Sequence, residues 1–179
     1  MVAVRYPSGM ALRTLVKYPD PGLQEPCESI SDFGEELRQL ADDMVEIMRA
    51  EAGIGLAAPQ VGERVQLTVV DLSGGSDPDQ LIRLVNPRLE HEDGEEREEE
   101  GCLSFPEVIL SVRRPARIVV AAQDLEGNDV SIEADGLLAR CVHHEIDHLH
   151  GVLFIDRVSP LKRDMTRRKI AKRIRAGDW

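Results

Sequence analysis

The apolar positions of this chain change period along its length, and the changes mark out its elements. Between about Asp32 and Ala50, Leu37, Leu40, Met44, Ile47 and Met48 recur three and four residues apart, the spacing of one helix face. Asp32 and Glu35 stand at the spacing of a reciprocal N-terminal capping pair. Ahead of that helix, Arg13–Glu28 reads as an extended entry with a turn at Pro19-Asp-Pro-Gly22. Three apolar stretches, Val65–Leu72, Leu81–Leu89 and Arg117–Gln123, read as strands, and Val130–Glu133 as a shorter fourth. Helical spacing returns at Leu137, Leu138, Cys141, Val142, Ile146 and Leu149, with Asp135 as the expected N-cap and Gly151 as the stop. Strands followed by one late helix, without regular alternation, predict an α+β fold. In it, antiparallel or mixed strands pack around this central helix, with further helices near each end. No internal repeat is evident, and 179 residues suit a single domain. Residues 1–12 are expected to form a disordered extension.

Charge changes this picture at two places. The chain has 33 acidic and 22 basic residues, a formal net charge of −11, which disfavours DNA or other nonspecific nucleic-acid binding by the body. The acids concentrate at Glu90–Glu100, which reads as solvated surface. The bases concentrate at Leu161–Ala176, where Lys162, Met165, Lys169, Lys172 and Arg173 keep near-helical spacing and Asp164 is the one acid. No run approaches the roughly 20 apolar residues of a membrane span. No long apolar stretch of a signal peptide opens the chain, so the cytoplasm is the expected location. Three cysteines, Cys27, Cys102 and Cys141, make no disulfide framework and suit a reducing compartment.

The chemistry centres on His144-Glu-Ile-Asp-His148. Two histidines four apart lie one above the other on a helix and can bind one metal ion from the same side. Glu145, between them in sequence, can act as general base on a water there. Two imidazoles leave such a site one protein ligand short. The positions that complete it in two metalloprotease classes are lost: one is Phe154, and no glutamate follows Glu145. Upstream, Cys102 in Glu-Gly-Cys-Leu-Ser is the best candidate, its competing reading being a buried inert thiol. Cys141, one turn before His144, reads as pocket lining, because a second thiolate would fill the position that water needs. Leu137, Cys141, His144 and His148 share one helix stripe. The small-residue run Gly53-Ile-Gly-Leu-Ala-Ala-Pro-Gln60 lets backbone approach another chain closely, and Gln60 offers an amide to an oxyanion.

Taken together these segments resemble the bacterial peptide deformylases. That family carries three ordered motifs, Gly-x-Gly-Leu-Ala-Ala-x-Gln, Glu-Gly-Cys-Leu-Ser and Gln-His-Glu-x-Asp-His-Leu. Here they stand at Gly53–Gln60, Glu100–Ser104 and His143–Leu149, and similarity extends over nearly the whole chain from about Leu12. His143 replaces the family's usual glutamine, and on a different side of the helix from the ligands it is expected to matter little. The resemblance implies that Cys102, His144 and His148 hold one divalent ion and that Glu145 handles the proton in hydrolysis of an N-formylmethionyl peptide. It implies an oxyanion held by Gln60 and the Leu103 N–H, a methionine pocket lined by Ile54, Leu137, Cys141 and His144, and peptide backbone laid along Gly53, Gly55 and Gly101. Ligand type alone points to zinc. The resemblance implies ferrous iron in the cell, with zinc, nickel or cobalt as replacements. It also implies docking of the basic C-terminal helix on ribosomal RNA, near the exit of the nascent chain.

Two other functions fit parts of the pattern. A zinc endopeptidase shares the helix motif but would need Cys102 as its third ligand. A non-catalytic relative that binds nascent chains or metal should have lost Glu145, Gln60 or Cys102, and all three are present.

Overall fold

The computed structural model describes residues 13–179. The expected extension at residues 1–12 lies outside the described residues. In chain order the elements are α1 (Glu35–Ala50), β1 (Gly55–Ala57), β2 (Leu67–Val70), β3 (Ile82–Asp93), β4 (Glu96–Glu100), β5 (Leu110–Arg114), β6 (Arg117–Gln123), β7 (Asp129–Asp135), α2 (Gly136–Leu149) and α3 (Pro160–Ala176). Strands β1-β2-β3-β6-β7 form one antiparallel sheet, and β4 and β5 form a separate hairpin. The α+β expectation holds.

Helix α1 buries the predicted stripe of Leu37, Leu40, Met44, Ile47 and Met48 against Leu56, Leu67, Val69 and Val85 of the sheet. Its start differs from the expectation. The N-cap is Gly34, with no side-chain cap, so Asp32 and Glu35 do not form the reciprocal pair. The Asp32 carboxylate lies 3.1 Å from where a Cβ on Gly34 would sit, so the glycine makes room for it. Glu35 and Glu36 in the first turn complement the helix dipole instead.

The strands β2, β3, β6 and β7 fall where apolar stretches predicted them. In β6, Ile118, Val120 and Ala122 alternate inward, with period two. Three strands carried too little apolar signal to be read: β1 is three residues long, β5 is five, and β4 is Glu-Arg-Glu-Glu-Glu. Glutamate has low strand propensity. Pairing with β5, which sets Glu96 opposite Arg114, overrides it.

Helix α2 is central, as expected. Every residue from Ala139 to Leu149 is buried, including Arg140, His143, His144, Glu145, Asp147 and His148. Asp135 stands at its N-cap position without a side-chain capping bond. A helix buried all round holds its polar side chains only if they find partners. Those partners make the site. Helix α3 is anchored by Ile170, which enters a third core with Phe105, Val108 and Phe154. Among the described residues, no helix is long and apolar enough to cross a membrane.

Candidate active site and metal centre

One turn of α2 brings the Nε2 atoms of His144 and His148 to 3.2 Å. Cys102 Sγ, from the turn after β4, lies 3.3 Å from His148 Nε2. The three donors lie within 4.8 Å of one another and could hold one metal ion. Ligands at tetrahedral zinc-type distances would be separated by about 3.3 Å between two nitrogens and about 3.6 Å between nitrogen and sulfur. The observed spacings are close to both, so the donor set fits a single ion.

Electrostatics suit a cation here. Burial pulls the His144 imidazole down, but contacts with Cys102 and Glu100 lift it to about 10. His148 moves the other way, held well below the ordinary value by burial and by His144 beside it, so its imidazole is neutral and free to ligate.

Behind the ligands lies a charged network that the sequence did not reveal. Glu100 Oε1 accepts from His144 Nδ1 at 2.6 Å, which directs Nε2 toward Cys102. Arg114 is fully buried and reaches Glu100 through Nη2 at 2.6 Å and Nε at 2.9 Å. Arg140 Nη1 adds a third donor to Glu100 at 3.0 Å. Burial alone would raise the Glu100 carboxyl; hydrogen bonds from Arg114 and His144 overcome that and hold it far below the usual carboxylate range. Asp147 accepts from both Arg114 and Arg157. The reading of Glu90–Glu100 as solvated surface is therefore corrected at its end. Glu100 is an interior counter-ion, while most of the run is exposed.

His143 also departs from its expected unimportance. It is 3% exposed, with Nδ1 2.7 Å from Arg114 Nη1 and Nε2 2.8 Å from Glu92 Oε1. Arginine can only donate, so Nδ1 accepts and the Nε2–H is donated to Glu92. His143 faces away from the ligands, as expected, but it closes the network on Arg114. A glutamine amide, with an acceptor oxygen and an NH2 donor group, could meet the same two partners.

Glu145 is different. It is buried beside the histidine pair, and its Oε2 finds no hydrogen-bond partner among the described residues. Burial pushes its carboxyl up to about 7, against the opposing pull of His144 and Arg114. Gly55 permits this placement. A Cβ there would lie 2.5 Å from Glu145 Oε1 and 2.6 Å from Cys141 Sγ. Gln60 is buried, and its Oε1 accepts from the Ala57 N–H at 2.9 Å. That bond fixes the amide, so Nε2 points toward Cys102 Sγ and Ser104 Oγ, at 3.5 and 3.2 Å.

A cavity of about 580 Å³ opens onto these groups. The residues expected to touch substrate, Gly53, Ile54, Gly55, Gly101, Leu137 and Cys141, all line it, as do Gln60, Leu103, His144 and Glu145. His148 does not line it. Reading the sequence missed a wall of this cavity, Phe105–Ile109, because it lies between elements and its one charged residue, Glu107, stands in no motif.

Two imidazoles and a thiol converging beside a buried, unpaired carboxyl and a cavity form the constellation of a mononuclear metallohydrolase. Known proteins narrow this class. The family model for polypeptide deformylase matches residues 12–164. The peptide deformylase of Acidobacterium capsulatum is 52% identical over 170 residues, covering 95% of this chain and all of that protein. That of Thermodesulfovibrio yellowstonii is 47% identical, covering 89% of this chain and 97% of the relative. The crystal structure of a Legionella pneumophila peptide deformylase superposes with a TM-score of 0.86 at 42% identity, covering 93% of this chain and 98% of that one. The chain belongs to the polypeptide deformylase family. It is thus a deformylating, metal-dependent hydrolase that removes the N-formyl group from nascent peptides.

Proposed function

We propose that Cys102, His144 and His148 hold one divalent ion, ferrous iron in the cell, and that Glu145, Gln60 and Leu103 carry out deformylation beside it. The observation that carries this reading is the buried Glu145 carboxyl, unpartnered at Oε2 and facing the cavity next to the three donors. A divalent ion there supplies Lewis acidity, making water more acidic and polarising the formyl oxygen. Glu145 accepts a proton as water attacks the formyl carbon. It then delivers that proton to the departing amine as the C–N bond breaks, leaving formate and a free amino terminus. Burial raises this carboxyl to about 7 in the metal-free protein, and a bound cation would lower it from there, leaving it ionised to accept a proton at neutral pH. Gln60 Nε2 and the Leu103 N–H donate to the developing oxyanion. Gly53, Gly55 and Gly101 offer backbone to an extended peptide, while Ile54, Leu137 and Cys141 take the methionine side chain.

An N₂S donor set accepts ferrous iron, zinc, nickel or cobalt, and availability rather than affinity order decides which is held. Metal analysis of protein purified without oxygen, paired with formate release from formyl-Met-Ala, tests both halves of the proposal. Cys102→Ser should weaken metal binding by more than about 100-fold, since even residues that only orient a ligand are worth 10–100-fold. Cys141→Ser should keep its metal. Equal metal content in all three proteins would remove Cys102 from the site.

On the same reading the enzyme works in the cytoplasm as one catalytic domain, with residues 1–12 as an extension, and docks on the ribosome through α3. Arg163 and Arg167 of that helix pair with Asp156, and Arg173 with Glu107, not with the Glu90–Glu100 run. Lys162, Arg168, Lys169, Lys172 and Arg175 are exposed and form no ion pair among the described residues. They are the cations free to meet ribosomal RNA. Deleting the helix would uncover the core that Ile170 fills. The cleaner test changes these five to glutamine. Ribosome co-sedimentation should fall, and log affinity should lose about 0.7–0.9 of its slope against log salt for each phosphate contact removed. Unchanged co-sedimentation would leave α3 without this role.

A further inference from the structure

The family match ends at residue 164, yet the segment beyond it reaches the wall of the substrate cavity. Arg173, with a side chain 17% exposed, donates from Nη1 to the Pro106 carbonyl at 3.1 Å and pairs through Nη2 with Glu107 at 2.9 Å. Its own guanidinium is held in turn. Nε donates to the Asp178 carbonyl at 2.9 Å, and the Trp179 ring lies 5.2 Å from its carbon. The Trp179 indole N–H donates to the Tyr18 carbonyl, and the Tyr18 ring stacks on Phe105 with centroids 4.8 Å apart. Two routes from α3 therefore converge on Phe105 and Pro106. The segment Phe105–Ile109 lines the cavity, has no regular secondary structure, and includes Glu107 in the left-handed region at φ 59°. Such a segment takes its shape from what packs behind it.

We propose that Arg173, braced by Asp178 and Trp179, is a positioning residue for the cavity wall Phe105–Ile109, so that α3 sets substrate affinity from behind the site. Of the groups assigned to the chemistry, Cys102 and Leu103 adjoin the wall, the Cys102 carbonyl accepting from the Phe105 N–H at 2.8 Å. Arg173, however, holds Pro106 and Glu107 beyond that bond, and two other groups are anchored elsewhere. Gln60 is tied to Ala57, and His144 to Glu100. Loosening the wall therefore weakens the binding of substrate and transition state alike, which raises KM and spares kcat.

The proposal rests on the reading that this cavity holds the formylated methionine, and the experiment separates the two. KM and kcat for formyl-Met-Ala are measured in the full-length, metal-loaded wild type, Arg173→Ala, Arg173→Lys, Glu107→Gln and the cavity-mouth variant Leu137→Asp, with bound metal and Tm recorded for each. Arg173→Ala should raise KM roughly five- to tenfold, the scale of one ordinary net hydrogen bond, with kcat within about twofold. Arg173→Lys keeps a donor for Pro106 and should recover part of the loss. Glu107→Gln, which removes only an exposed partner, should change KM little. A lower Tm with unchanged KM in Arg173→Ala would make the arginine a structural staple and overturn the proposal, as would a fall in kcat that tracks lost metal. If Leu137→Asp also leaves KM unchanged, the cavity reading fails and takes the proposal with it. A raised KM in Leu137→Asp alone overturns only the role of Arg173.

Discussion

Glu145→Gln should keep its metal and lose turnover by about 10²–10⁴-fold, the usual share of a positioned acid–base group. The substitution keeps shape and hydrogen-bonding atoms but cannot take up a proton. The wild-type pH profile carries the same information. The carboxylate form is the active base, so kcat/KM should fall as pH drops through the Glu145 pKa, which burial places at about 7 in the metal-free protein. A cation beside it favours the ionised form, so the acid limb of the loaded enzyme belongs below that value. Stability moves the opposite way. The folded carboxyl is raised from 4.5 to about 7, so between those values the folded state binds more protons and loses stability as pH rises. Metal-free Glu145→Gln should therefore be more stable than metal-free wild type at pH 7, by something on the order of 2–3 kcal/mol. Thermal unfolding with and without chelator measures this, alongside metal content. A folded Glu145→Gln protein that has lost its metal would make Glu145 a ligand rather than a base.

The parts of this site that were legible in the sequence share a cause. His144, Glu145 and His148 lie on one helix, where spacing in sequence fixes spacing in space. Gly55 and Gln60 were legible because glycine lets backbone approach closely and a side-chain amide offers a donor to an oxyanion. Cys102 was found by elimination, as the donor upstream that could complete the pair. The supporting charges had no such signal. Arg114 reaches the site from β5, a strand too short to read, and Glu100 sits at the end of an acidic run whose other members are mostly exposed. The hairpin register sets Glu100 opposite Leu110, on the face of Val112 and Arg114, which separates it from Glu99. Glu98 shares that face yet is exposed, so only the tertiary packing at the strand's end marks Glu100 out. His143 was misjudged for a related reason. Helix geometry says which way a residue faces, but not that a buried arginine waits there.

Arg114→Met should be the most destabilising single change near the site, by about 3–5 kcal/mol, because it leaves buried charges without their partner. Glu100, Asp147 and His143 all turn to this guanidinium. The loss extends to function, since Glu100 without Arg114 is drawn elsewhere or protonated and no longer orients His144. Metal affinity should then fall 10–100-fold, as for other residues that orient a ligand. The acid side gives a separate check. Glu100 and Asp147 both have folded pKa values below their ordinary 4.5 and 3.8, so their contribution is fully present above those values and is lost as pH falls below them. In the wild type stability should therefore decline steeply below about pH 4.5, the unfolded carboxyl's range. In Arg114→Met the decline should be shallower, because the carboxyls that cause it are no longer held down. The double variant Arg114→Met, Glu100→Gln removes the stranded charge and should regain part of the stability at pH 7 without regaining metal affinity. Denaturant unfolding of the metal-free proteins at pH 7 and pH 4, with metal titration at pH 7, resolves these outcomes. Recovery of metal binding by the double variant would show that orienting His144 needs neither Arg114 nor the charge on Glu100.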